Sequence, residues 1–138
     1  MFQKTNSTTL VKLIPPFWAC LFDVFITAIH QPADYWRGEL EFANEGNPIG
    51  NLFMTNHISG LFVVTLFELV VVMFLANWLT GKAQKVFLLF VVLAHSAAVT
   101  TWIAPRYGFW SFMFLTFFNA FLVVFVEDLE KRRAAKTI

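Results

Sequence analysis

An all-α fold, a bundle of four membrane-spanning helices, is what this sequence predicts, and three observations predict it. Of 138 residues 58% are apolar, only 14% are charged, and 18 are phenylalanine, more apolar bulk than a water-facing domain needs. The apolar residues gather into four runs, each close to the roughly 20 helical residues that cross hydrocarbon, and the mean hydropathy is +0.65. Lysine and arginine sit at the ends of those runs. Lipid is therefore the solvent for most of the chain, which sets aside a soluble enzyme, a disordered tail and a disulfide-framed secreted domain. A formal charge of +1 without a basic stripe gives no nucleic-acid surface.

Taken in order, the first span covers 13–30, with Pro15-Pro16 near its start, where a missing N–H costs little. A signal peptide over 1–20 is rejected, because those prolines interrupt its apolar core and Trp18 suits no cleavage site. Cys20 is the single cysteine, so packing and hydrogen bonds hold the fold. A structured, non-cytoplasmic loop follows over 31–57. Pro32 stops the helix, Tyr35 and Trp36 set two amphipathic rings at headgroup level, and Asn44-Glu45-Gly46-Asn47-Pro48 offers a turn in which glycine permits positive φ. A short interfacial helix within this loop is expected to help cap the bundle.

The second span covers 58–79 and the third 86–104, ending before Pro105; the short Gly81-Lys82 turn between them makes the two antiparallel neighbours. The fourth covers 107–126 and continues into a charged tail over 127–138, where Glu127 with Lys131 and Asp128 with Arg132 are spaced i,i+4. Residues 1–138 thus form one membrane domain, with no soluble domain left over.

Orientation follows from the retention of positive charge on the cytoplasmic side. Lys4, Lys12, Lys82, Lys85, Lys131, Arg132, Arg133 and Lys136 fall on one side, against Arg37 and Arg106 on the other. Both termini are expected in the cytoplasm of a cell bounded by this inner or cytoplasmic membrane. Tyr35, Trp36, Trp102, Tyr107 and Trp110 would form the outer aromatic belt and Trp78 the inner one. On that topology the sequon Asn6-Ser7-Thr8 is irrelevant.

Each span carries one strongly polar residue near its middle: Asp23, Glu68, His95 and Asn119. Each lies about nine to twelve residues from a helix end, which places all four near the midplane. A carboxylate facing lipid there costs at least about 2.5–3.5 kcal/mol. The sequence therefore predicts that Asp23, Thr27 one turn later, Glu68, His95 and Asn119 form an intramembrane polar layer. Small residues at Ala94 and Ala98 let another backbone approach His95. Such a layer is either hydrogen-bonding glue between helices or a proton, metal or small-ligand site. A second constellation lies outside: His30 closes the first span and His57 opens the second, and with Glu45 they offer two imidazoles and a carboxylate for a divalent metal such as Zn²⁺ or Cu²⁺. Tyr35, Trp36, Asn47 and Pro48 are the anchors of the loop around it.

Asp23 with Thr27, followed by Glu45-Gly46-Asn47-Pro48, resembles a family of small bacterial and archaeal four-helix membrane proteins of unknown function, marked by Asp-x-x-x-Thr in the first helix and Glu-x-Asn-Pro in the loop. Members often carry a lysine in the second helix, where this chain has Glu68. Asp23, Phe67-Glu68-Leu69 and His95 also resemble, more weakly, polar residues lining a sterol-sized pocket in the emopamil-binding, sigma-2-receptor-like superfamily. That family's proline-rich fourth-helix pattern is missing here. The first resemblance implies the four-helix topology and the second a lipid-sized cavity.

No Gly-rich phosphate loop, HExxH or Gly-x-Ser-x-Gly elbow is present. The residues leave two functions open. One is a non-catalytic subunit or assembly partner of a larger membrane complex, docking a protein partner or a second copy through Phe-rich faces at Phe87, Phe90, Phe112, Phe114, Phe117, Phe118 and Phe121. The other is a bundle that binds a ligand, proton or metal, in its strongest form an enzyme for a lipid-like substrate.

Overall fold

The computed structural model describes residues 7–135, all helix, turn and loop, with no strand among them. Lys4, Asn6 and Lys136 lie outside the described residues. Four candidate membrane spans, Leu10–His30, Gly60–Trp78, Gly81–Tyr107 and Phe109–Arg133, are long and apolar enough to cross a bilayer, so the protein is a small integral membrane protein. A short helix α1 (Ser7–Lys12) leads through Leu13 into α2 (Ile14–His30), whose first turn holds both prolines.

The polypeptide between the first two spans is folded. It contains α3 (Ala33–Trp36), a single 3₁₀ turn over Leu40–Phe42, and α4 (Pro48–Asn56). Asn47-Pro48 is a helix start rather than a glycine turn. Asn47 Oδ1 accepts from the N–H of Ile49 at 3.0 Å, Pro48 takes the first helical position, and Gly46 keeps an ordinary negative φ. Buried Gln31 closes the loop by donating to the Asn44 carbonyl at 2.7 Å and accepting from its N–H at 2.8 Å.

The remaining spans are α5 (Gly60–Trp78), α6 (Gly81–Tyr107) and α7 (Phe109–Ala135). α6 runs past the expected stop at Pro105, whose missing N–H forfeits the one bond to the Thr101 carbonyl without ending the helix. The helix ends instead at Gly108, whose φ of +83° suits glycine and whose N–H donates to the Ala104 carbonyl. α7 extends through the charged tail as far as Ala135. There Asp128 accepts from Arg132 as the spacing predicts, while Glu127 pairs across the bundle with Lys85 at 3.7 Å and not along its own helix with Lys131.

α2 is the central helix, packed on α5, α6 and α7; α5 and α7 meet different faces of the α2–α6 pair. At the end holding the chain termini, Leu13, Cys20, Val72, Ala76 and Val91 form one apolar cluster. At the loop end a second joins Ile26, Val99, Trp102, Ile103 and Leu115, and a third sets Tyr35, Met54 and Leu61 beneath the loop. Two members of the expected aromatic belt thus belong to the core: Tyr35 is fully buried with its hydroxyl donating to the Ile58 carbonyl at 3.0 Å, and Trp102 stacks on His30. Trp36, Tyr107 and Trp110 do face outward.

Candidate functional site

The polar mid-layer lies between the terminal-end cluster and the two loop-end clusters. α6 carries His95 to α2 on one side and α5 on the other. Its Nδ1 stands 2.8 Å from Asp23 Oδ2 and its Nε2 stands 2.9 Å from Glu68 Oε1. Both ring nitrogens therefore face carboxylate oxygens, and each contact needs a proton between its atoms. The imidazole thus links the two carboxyl groups through both of its nitrogens. Cys20, one turn before Asp23 and wholly buried, lies close to the same imidazole. Ligand atoms of Cys20, Glu68 and His95 fall within 4.8 Å of one another.

Asn119 is not part of this trio. α7 meets another face of the α2–α6 pair, and there Asn119 Oδ1 accepts from Trp18 Nε1 at 3.2 Å while its amide donates to Ser96 Oγ at 2.8 Å. The expected single layer is thus two polar clusters back to back, divided by the adjacent α6 residues His95 and Ser96. Asn119 is 5% exposed and its cluster joins helices.

The His95 cluster is open. Asp23 and His95 side chains are 15% and 13% exposed, but that of Glu68 is 39% exposed. The opening is a cleft of about 1000 Å³ between α5 and α6, backed by α2 and roofed by loop residues 44–50. Toward the termini α5 and α6 pack closely through Val72, Ala76 and Val91 with Phe87 and Leu88. Beyond Glu68 and His95 they part. Small side chains at Ala94 and Ala98 keep the α6 wall thin, and Phe90, Ala94 and Thr101 on it are exposed, so the cleft is not sealed from its surroundings. Buried Thr27 lines its α2 wall.

Two residues outside the spans join the cleft. Glu45 lies against Gly50 and accepts from the N–H of Asn47 at 2.7 Å. Burial raises its carboxyl pKa above the usual range, and the charges of Asp23 and Glu68 push the same way against the backbone hydrogen bonds. At the mouth Arg106 donates to the Trp102 carbonyl at 3.1 Å, with its guanidinium 5.1 Å from the Trp102 ring centre.

The residues expected to form an outer metal site are each engaged elsewhere. His30 Nδ1 contacts the Ile26 carbonyl at 2.8 Å and its Nε2 the Tyr107 hydroxyl at 3.1 Å; His57 Nδ1 contacts the Ser59 hydroxyl at 2.8 Å; Glu45 turns to the cleft. Among the described residues the one set of three His, Cys, Asp or Glu close enough to share an ion is Cys20, Glu68 and His95. Cys20 is legible only through its spacing, since Cys20, Asp23 and Thr27 at i, i+3 and i+7 share one helix face; Ser96, Arg106 and the inward turn of Glu45 have no local signature. Comparison with known proteins finds no matching family model, no matching curated protein and no matching solved structure.

Proposed function

We propose that this membrane protein binds an amphiphile bearing a cationic nitrogen, drawn laterally from the bilayer into the cleft between α5 and α6. The observation that carries this reading is a pair of carboxyl groups bridged by one imidazole, Glu68 among them, on the floor of an open cleft at mid-depth in the bundle. Acyl chains can fill the apolar walls, but they offer nothing to a carboxylate that is 39% exposed. An ammonium or amine group donates hydrogen bonds to Glu68 and offsets its charge while its chain lies against Phe90, Val64 and Leu61. The volume of about 1000 Å³ is at the upper end for small-molecule sites. Glu45 adds a second carboxyl acceptor at the roof, and the loop, set outside with both termini cytoplasmic, covers the bound head.

The test is a binding titration in lipid nanodiscs. A long-chain alkylamine is expected to bind at one per chain and to raise the melting temperature, whereas the alkyl alcohol of equal length is not. Glu68→Gln is expected to weaken the amine at least tenfold, and Thr101→Trp, which fills the cleft, to abolish binding with the fold intact. Equal effects of amine and alcohol, or an unchanged Glu68→Gln, contradict the proposal. A second reading, a subunit of a larger complex, rests on the outward face of α7 at Phe114, Phe117 and Phe121. Lipid covers such a face equally well, and purification in mild detergent with a stoichiometric partner is the result that favours it.

A further inference from the structure

Beneath the cleft floor, the structure assigns a second capability to the same layer: we propose that Cys20, Glu68 and His95 bind one borderline divalent transition-metal ion of the Zn²⁺ class. This goes beyond the amphiphile reading, since Cys20 lies deeper than the cleft and contributes nothing to it. Three elements support the assignment. The donor set of thiolate, imidazole and carboxylate is one that zinc favours. The three ligand atoms lie within 4.8 Å of one another, and ligands of one tetrahedral zinc sit roughly 3.2–3.7 Å apart, so side-chain rotations of about 1 Å close the site. Third, Asp23 already holds His95 Nδ1 at 2.8 Å. That is the arrangement in which a carboxylate orients a metal-bound histidine and makes its other nitrogen the ligand.

His95 Nε2, now 2.9 Å from Glu68, is the nitrogen left to the ion. Binding breaks that hydrogen bond. The proton on the Nε2–Glu68 contact and the thiol proton of Cys20 leave through the cleft, and bonds form from the ion to Sγ, Nε2 and a Glu68 oxygen. Asp23 keeps its contact with Nδ1–H. The three protein ligands come from α2, α5 and α6, so the ion ties those helices together. The fourth position faces the cleft through Glu68, the most exposed of the ligands, and stays exchangeable.

Cobalt(II) serves as the probe, added alone to the full chain in nanodiscs without amphiphile. The expected result is one ion per chain, with visible bands of tetrahedral cobalt and a near-ultraviolet band from sulfur-to-cobalt charge transfer that disappears in Cys20→Ala. Asp23→Asn is expected to leave the bands in place and weaken the affinity about ten- to a hundredfold, the effect of losing the group that orients a metal-bound histidine. Should Cys20→Ala fail to fold by circular dichroism, Glu68→Gln decides, with an expected loss of at least tenfold. Absence of bound cobalt, a spectrum without the sulfur band, or an affinity unchanged in Glu68→Gln overturns the site.

Discussion

Replacing His95 by alanine takes away the ring that two carboxylates share. Asp23 and Glu68 bond to its opposite nitrogens at 2.8 and 2.9 Å. Their oxygens then face each other across roughly 8 Å, a repulsion of about 2 kcal/mol at an effective dielectric constant near 20. Asp23 is 15% exposed, and breaking a buried pair costs about 3–5 kcal/mol because the remaining charge is uncompensated. Glu68 opens on the cleft, so its share is smaller. The expected destabilisation of His95→Ala is therefore about 3 kcal/mol or more. Most of it comes from stranded charge and not from lost contact, so neutralising Asp23 in the same molecule should restore at least about 1 kcal/mol of it. The assay is reversible unfolding in bicelles followed by circular dichroism, with Thr101→Ala on the exposed cleft wall as a control. A His95→Ala loss no greater than the control, or an Asp23→Asn/His95→Ala double variant less stable than His95→Ala, would show that no charge is stranded when the ring is removed.

Other expectations follow from the same geometry. A Cβ at Gly60 would stand 2.1 Å from the Phe53 carbonyl oxygen, so Gly60→Ala must push α4 from α5 and should cost at least about 1–3 kcal/mol. Gly46→Ala, with no neighbour within 4 Å and no positive φ, should melt like the parent. Because the pKa of Glu45 is raised from 4.5 by burial, with Asp23 and Glu68 facing it, the folded protein holds that proton to higher pH than the unfolded chain does. Stability therefore falls as pH rises from 4.5 through the raised value, and Glu45→Gln should melt higher at neutral pH and flatten that part of the profile. Asn119→Leu severs the bonds to Trp18 and Ser96 and should cost about 0.6–1.7 kcal/mol, the range for hydrogen bonds between membrane helices. Amine binding in nanodiscs should be unchanged in that variant, because Asn119 does not line the cleft.

The four spans were legible because hydropathy over about 20 residues is set by lipid and needs no tertiary partner. So was the meeting of Asp23, Glu68 and His95, since none of them is tolerated against acyl chains at mid-depth. Depth alone, however, fixes how far along its helix a residue lies and not the direction in which it points. Asn119 shares that depth and meets Trp18 and Ser96 instead, because α7 packs on another face of the α2–α6 pair. Tyr35 and Trp102 illustrate the same limit, as amphipathic rings at the right level that turned into the core. Glu45 read as a metal ligand beside His30 and His57, but its direction is set by Gln31 clasping Asn44 and by the space above Gly50, contacts with no sequence pattern. The stop expected at Pro105 failed because the turn beyond it still closes, through the Gly108 N–H on the Ala104 carbonyl, despite the one N–H that proline lacks.

Both binding proposals depend on His95 bridging two carboxylates at the floor of an open cleft. Nitrogen-15 NMR of histidine-labelled protein in nanodiscs, in a His30→Gln/His57→Gln background so that one imidazole is observed, tests it most directly. Two hydrogen-bonded ring nitrogens are predicted, with Asp23→Asn moving the Nδ1 signal, Glu68→Gln moving the Nε2 signal, and added alkylamine perturbing the Nε2 side. An imidazole whose two signals ignore both substitutions and the amine would show that His95 does not bridge the two carboxylates.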